Sequence, residues 1–222
     1  MRVTNKSVIK STVFALSWSE YFTLIQKGKF HRFDWRIMLL TTAKSYFRKN
    51  KHFSDMEENQ RRELAGIASK NQNRSLFEWG YFGSMKGAGK FQNRINENNR
   101  FISQALDAIP LQGSVHKTDY NNFVDLFQQA FPDGGSGIAI ASRLLAMKRP
   151  DCFVCLSKRN KTGLCDAFGI PKSVVFETYW DDIIEQIHNS VWYSSEMPKD
   201  DAEAMAWFGR VAMLDAIFYN EP

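Results

Sequence analysis

A mainly α-helical fold is predicted by three features of this 222-residue sequence. Apolar residues recur at helical spacing over long windows, most clearly in Asp34–Asn50, Gln92–Ile109 and Lys199–Tyr219. Helix breakers such as Pro110, Pro132-Asp133-Gly134-Gly135 and Pro150 stand between windows. Candidate strands such as Val8-Ile9 and Val174–Phe176 are short and never alternate with helices as a parallel sheet requires. A hydrophobic share of 44% supplies a real core and excludes a disordered chain. The expected organisation is an N-terminal helical region over residues 1–70 and a helical domain over 71–222, the two forming one continuous domain or a pair.

The first thirty residues are ambiguous between strand and helix. Asp34–Asn50 places Trp35, Met38, Leu39, Thr42, Ala43 and Tyr46 on one face, with Arg36, Lys44 and Arg48 elsewhere. Ser54 and Glu57 have capping-box spacing, which predicts a helix onward through Leu64 and Ile67. Ser69–Arg74 is a polar linker, and Leu76–Phe82 a dense aromatic cluster. Gln92–Ile109 is predicted as one helix, ended by Pro110. Thr118-Asp119 caps the next, through Phe123, Phe127 and Ala130. Ile138–Met147 is helical up to Pro150. A short helix over Asn160–Phe168 is closed by Gly169. Tyr179–His188 and Lys199–Tyr219 complete the helices, the last as the longest.

Charge is distributed unevenly. From Gly134 to Lys172 there are seven basic and two acidic residues, an excess equal to the +5 of the whole chain. From Ser173 onward the chain holds ten acidic and two basic residues. One part therefore suits a polyanion, while the acidic end suits a basic partner protein. No stretch approaches the ~20 apolar residues of a membrane span, and no secretory leader is read at the N-terminus. Three cysteines, an odd number, fit a reducing compartment. The expected location is the cytoplasm, with no membrane partner.

The basic stretch opens on Gly134-Gly135-Ser136-Gly137 and runs straight into a helix. Backbone N–H groups at a helix start favour phosphate, and glycine lets the backbone come close. Residues Gly135–Ala141 resemble the hairpin of helix-hairpin-helix proteins, whose pattern is Gly, apolar, Gly, two variable residues, a small polar residue, Ala, then an apolar helix. Arg149–Val154 is similar to the segment downstream of that hairpin in the helix-hairpin-helix DNA glycosylase superfamily. The resemblance covers about forty residues and departs at Ser136 and Ile140. It implies a grip on double-stranded DNA. The contacts expected are Gly134, Gly135, Ser136, Gly137, Arg143, Lys148, Arg149, Lys158, Arg159 and Lys161. A subunit of a DNA repair, restriction or phage-defence system is the implied context.

The same resemblance implies where glycosylase chemistry would sit. Ile138, Ala139 and Ile140 occupy the place of its lysine, and Leu156-Ser157 that of its carboxylate. Asp151 is the nearest acid. A divergent glycosylase or nuclease is the alternative, and a protein-interaction subunit docking through the acidic end is a third. No Glu-x-Lys or Asp-x-Lys pair supports a restriction-type nuclease.

Other motifs are partial. Gly83–Lys90 approaches a phosphate-binding loop, but Ser84 replaces the first glycine and Phe91 the final hydroxyl. A glycine loop carrying Lys86 and Lys90 near phosphate, or a plain turn, is expected instead. Cys152 and Cys155, with Cys165 beyond, have metal-ligand spacing, but Phe153 and Val154 between them suit a buried segment, so three buried thiols are expected and no metal or cofactor. Trp180, Trp192, Tyr193 and Trp207 either stack bases or fill the core. The four histidines are scattered and define no triad.

Overall fold

The computed structural model describes residues 13–27, 32–67 and 80–219. The Ser69–Arg74 linker, Leu76–Trp79, Val8-Ile9, His31 and the proposed boundary at residue 70 lie outside the described residues. No strand occurs among the described residues, so the mainly helical class holds.

Helix α1 (Trp18–Gln26) begins at a capping box in which Ser17 and Glu20 satisfy each other's backbone N–H. Helix α2 spans Phe33–Lys49. Helix α3 (Glu58–Leu64) starts three residues later than Ser54 predicts, with Glu57 as its N-cap. Gln60 accepts the Glu57 N–H at 3.1 Å, while Ser54 lies in a 3-10 turn and its N–H donates to Ser103. The Gln92–Ile109 window breaks into α4 (Gly89–Asn96) and α5 (Arg100–Asp107). Asn98 takes a left-handed φ of 54° there, and its side-chain amide donates to Ser54 O at 2.8 Å.

Helix α6 (Lys117–Gln129) leads through the glycine turn to α7 (Ile138–Lys148), and α8 (Lys161–Phe168) ends at a left-handed Gly169 as predicted. The segments α9 (Phe176–Tyr179) and α10 (Glu185–His188) are joined by a π-helical turn over Trp180–Ile184, with helical dihedrals at Trp180 and Ile184. The long C-terminal helix is broken into α11 (Asp201–Phe208) and α12 (Leu214–Phe218). At Gly209 the backbone comes so near α2 that a Cβ would stand 2.7 Å from Leu40 Cδ1. The N–H groups of Val211 and Ala212 turn aside to Pro150 O, which ends α11.

One apolar cluster runs from Val13 through Leu40, Phe123, Leu144 and Tyr179 to Phe218. It joins residues from both predicted regions: α1 packs on α12, and α2 and α3 pack on α7. Trp192 is fully buried and stacks on Tyr21 at 4.1 Å, and Trp180 is buried too, so these two tryptophans are core.

The buried face of α2 differs from the periodic one. Arg36, Ile37, Leu39, Leu40, Ala43 and Phe47 are buried, whereas Trp35 and Met38 are exposed. The reason is Arg36. Its guanidinium forms a fully buried ion pair with Asp215 and lies over the rings of Tyr81, Phe82 and Tyr219. Asp215 on α12 also accepts the Asn160 amide.

No helix among the described residues is long and apolar enough to cross a membrane.

Candidate nucleic-acid interface

Three chain segments meet at a cleft of about 450 Å³. The first is the loop from Gly80 to Ala88, which runs into α4. The second is the start of α7, at Ala139 and Ile140. The third is the turn Ser157-Lys158-Arg159. Tyr219 completes the wall, and no acidic residue among the described residues lines it.

Local chemistry builds each wall. Gly83 has a φ of +86°, and a Cβ there would stand 2.9 Å from Ser157 Cβ, so glycine permits the loop to meet the turn. The Ser84 hydroxyl donates to Gly66 O at 2.9 Å, which holds the loop against the end of α3. Helix α4 then begins at Gly89. The near-match to a phosphate loop is thus a loop–helix junction, with Phe91 where the hydroxyl for magnesium would stand. Lys90 of that junction reaches across to the glycine turn, donating to Asp133 O and Gly134 O at 3.0 and 3.2 Å. The two glycine segments are tied together by this lysine. Gly134 and Gly135 take φ values of +73° and +97°, which reverse the chain into α7.

The starts of α4 and α7 thus both border the cleft, each with N–H groups that lack an intrahelical acceptor. The Ser157–Asn160 turn supplies the cations. Its anchor is Asn160, fully buried, which accepts the Ser157 N–H at 2.7 Å and donates to Cys155 O at 2.7 Å and to Asp215. The Arg36–Asp215–Asn160 network therefore fixes the turn from beneath. Lys158 is exposed, Arg159 and Lys161 are half-buried, and none of the three has an ion-pair partner among the described residues.

The ten expected DNA contacts separate into three groups. Gly134, Gly135, Ser136 and Gly137 are exposed or half-buried and lie at the α7 start; Lys158 and Arg159 line the cleft, and Lys161 follows them. Arg143 does not belong with them. It is fully buried and donates to Leu64 O at 2.8 Å, Tyr81 O at 2.7 Å, and to Gly83 O and Glu63 O. It closes the carbonyl end of α3 onto the glycine loop, and burial brings its pKa down to about 10. Lys148 and Arg149 are also corrected, since both lie at the opposite end of α7, a helix about 16 Å long. Lys148 Nζ donates to Leu106 O at 2.6 Å. Arg149 is buried, holds Asp151 with two hydrogen bonds of 2.9 and 2.8 Å, and donates to Pro110 O and Gly113 O.

Asp151 is likewise remote from the cleft and lines a groove with Lys44 and Arg48. Burial alone raises its pKa, but the Arg149 hydrogen bonds outweigh that and hold it below the usual carboxylate range. The cysteines are all buried and free. Burial pushes the Cys152 and Cys155 thiols up to about 12, and Cys155 Sγ donates to Phe82 O. Among the described residues no group of three His, Cys, Asp or Glu side chains is placed to hold a metal ion.

The acidic C-terminal region is partly committed inside the molecule. Asp215 is buried, Asp181 pairs with Lys117 at 2.6 Å, Asp200 caps α11, and Glu203 accepts the Trp18 indole at 2.9 Å. Sequence reasoning passed over Arg36, Asn160 and Asp215. The available signal was a single aspartate inside the apolar run Leu214–Phe218. No family model matches the chain, and no curated protein or solved structure matches it either.

Proposed function

We propose that this protein grips the phosphate backbone of double-stranded DNA at the cleft between the glycine loop, the start of α7 and the Ser157–Asn160 turn. One observation carries the proposal: two helix starts and two cations, Lys158 and Arg159, border a single cleft with no acidic lining residue among the described residues. Helix N-termini and guanidinium or ammonium groups both favour phosphate oxygens. Lys161 and the Gly134–Gly137 turn extend the grip. Contacts of this kind position a protein and do not read sequence, so unrelated duplexes bind alike. A DNA-binding subunit of a repair, restriction or phage-defence system is the context the hairpin resemblance suggests. Arg143, Lys148 and Arg149 have structural roles and take no part in the grip.

The test is duplex binding by fluorescence anisotropy across a salt series, comparing the parent with Lys158→Glu/Arg159→Glu. Each lost phosphate contact makes the log–log salt slope shallower by about 0.9. The double variant is expected to bind about tenfold or more weakly at moderate salt, with a slope shallower by about 1.8. Binding equal to the parent's, with an unchanged slope, overturns the proposal.

A further inference from the structure

A second surface lies away from the cleft, along α2. Three adjoining cavities of about 520, 360 and 380 Å³ run there along α2, each walled in part by α11 and the second also by Leu111–Gly113 and Lys148–Asp151. The first two share Lys44, Arg48, Pro150 and Phe208; the first and third share Ile37, Thr41 and Met205. They therefore form one groove along α2, a helix about 25 Å long. Four of the eight large apolar side chains exposed among the described residues line it: Met38, Leu111, Met205 and Phe208. Exposed apolar surface concentrated in this way marks an interaction site rather than ordinary scatter. Gly209, at the end of α11, brings that wall against Leu40 of α2.

The charge along the groove is graded. Lys44, Arg48 and Lys49 stand at the C-terminal end of α2, and Asp34 at the other. Arg48 and Lys49 have no ion-pair partner among the described residues, while Lys44 Nζ lies 3.9 Å from the centre of the Phe208 ring. The further acid in the groove, Asp151, is already neutralised by Arg149.

We infer that this groove receives an amphipathic helix of another protein, acidic in its N-terminal half, lying antiparallel to α2. A helix-walled groove has no strand edge to pair with an extended peptide, so recognition rests on side chains, as in helix-in-groove binding. The apolar floor takes the partner's hydrophobic stripe, and Met38 and Met205 adapt to its shape. The three cations take its carboxylates. Acidic residues favour the N-terminal turns of a helix, which places that end at the C-terminus of α2 and opposes the two helix dipoles. A DNA interface is more polar and more uniformly basic than this apolar floor with an acid at one end. A second copy of this chain would bring a concave groove against a concave groove. The inference is independent of DNA binding at the cleft.

The experiment uses two labelled synthetic helices of about sixteen residues, the length of α2. Both carry leucines at helical spacing and identical composition. One has its glutamates in the N-terminal half and lysines in the C-terminal half, and the other has the reverse order. Fluorescence anisotropy is expected to show the glutamate-first peptide binding about tenfold or more tightly. Met205→Ser/Phe208→Ser, which changes only exposed side chains, is expected to remove that binding with the thermal melt unchanged. Lys44→Glu/Arg48→Glu is expected to reverse the preference. Equal binding of the two peptides, binding that survives the serine variant, or no binding at millimolar peptide overturns the inference. So does displacement of the peptide by duplex DNA, or a dimer seen by sedimentation that Phe208→Ser dissolves.

Discussion

Arg143 and Arg159 belong to one basic stretch and have opposite surroundings. Arg143 lies inside α7, is fully buried, and gives its donors to backbone carbonyls of α3 and the glycine loop. Arg159 sits in a turn beside the cleft, its backbone N–H on the Ser157 hydroxyl and its guanidinium without an ion-pair partner among the described residues. The difference comes from what each can reach. A helix buried among α2, α3 and α5 brings an arginine to carbonyl ends that need donors. A turn fixed from below by Asn160 points its cations outward. Local positive charge in a sequence thus has two uses, closing the core and meeting a polyanion, and only the second bears on DNA.

The largest expected effect belongs to the network under the turn. Asp215→Ala leaves Arg36 buried without its carboxylate and takes an acceptor from Asn160. Breaking a buried pair from one side costs about 3–5 kcal/mol, or a melting temperature lower by roughly 10 °C for a chain of this size. Scanning calorimetry checks it, and a loss under about 1 kcal/mol would remove the network from the account of the fold. Arg143→Met comes next. It strips donors from carbonyls at Leu64, Tyr81 and Gly83, with an expected cost of about 2–4 kcal/mol. Below its melting transition the variant should bind duplex DNA with the parent's salt slope. A shallower slope would place Arg143 on the phosphate after all and break the contrast with Arg159.

Asn160→Ala sharpens the same contrast without altering charge. The Ser157 N–H and Cys155 O lose their partner, so the turn no longer holds Lys158 and Arg159 in place. Duplex affinity is expected to drop severalfold, with the salt slope changed by less than about one contact. Unchanged affinity would mean that charge alone, and not its placement, makes the grip.

These residues also mark how far the sequence could be read. The mainly helical class, α2, α7 and the α8–Gly169 stop were legible, because periodicity and helix breakers are local signals. The breaks at Asn98 and Gly209 were not. Each depends on a partner distant in sequence: Ser54 O for Asn98, Leu40 for Gly209. The face of α2 was misjudged because periodicity assigns arginine to solvent, and Arg36 is buried by an aspartate on α12. The cleft was half legible. Its glycine turn and Lys158, Arg159 and Lys161 follow from composition. The wall from Gly80 to Ala88 overlaps the partial phosphate-loop motif Gly83–Lys90, which by itself does not show what the loop packs on. The exclusion of Arg143, Lys148 and Arg149 required knowing which end of α7 faces which neighbour.

The smallest effect concerns the two cations of α7, Arg143 buried and Lys148 half-buried, and it turns on their chemistry. Arginine keeps its charge wherever it is placed, whereas lysine releases a proton when desolvated. Burial brings the Lys148 pKa down to about 8, against the opposing pull of Asp107. The unfolded chain holds that proton up to about pH 10.4. Between those values the unfolded state binds more protons, so stability attributable to Lys148 rises with pH across this window and is least below pH 8. Its ammonium still donates to Leu106 O, but that carbonyl also accepts the Ile109 N–H and is not orphaned by losing it. Lys148→Met is therefore expected to be neutral or stabilising at pH 7, by about 1 kcal/mol, because it fills the same space without a charge to bury. Urea midpoints at pH 7 and pH 9.5 measure this, with the variant's advantage shrinking at the higher pH. A variant that loses stability equally at both values would show that the Leu106 hydrogen bond outweighs the cost of burying the ammonium. Lys148 would then join Arg143 as a cation that closes the core.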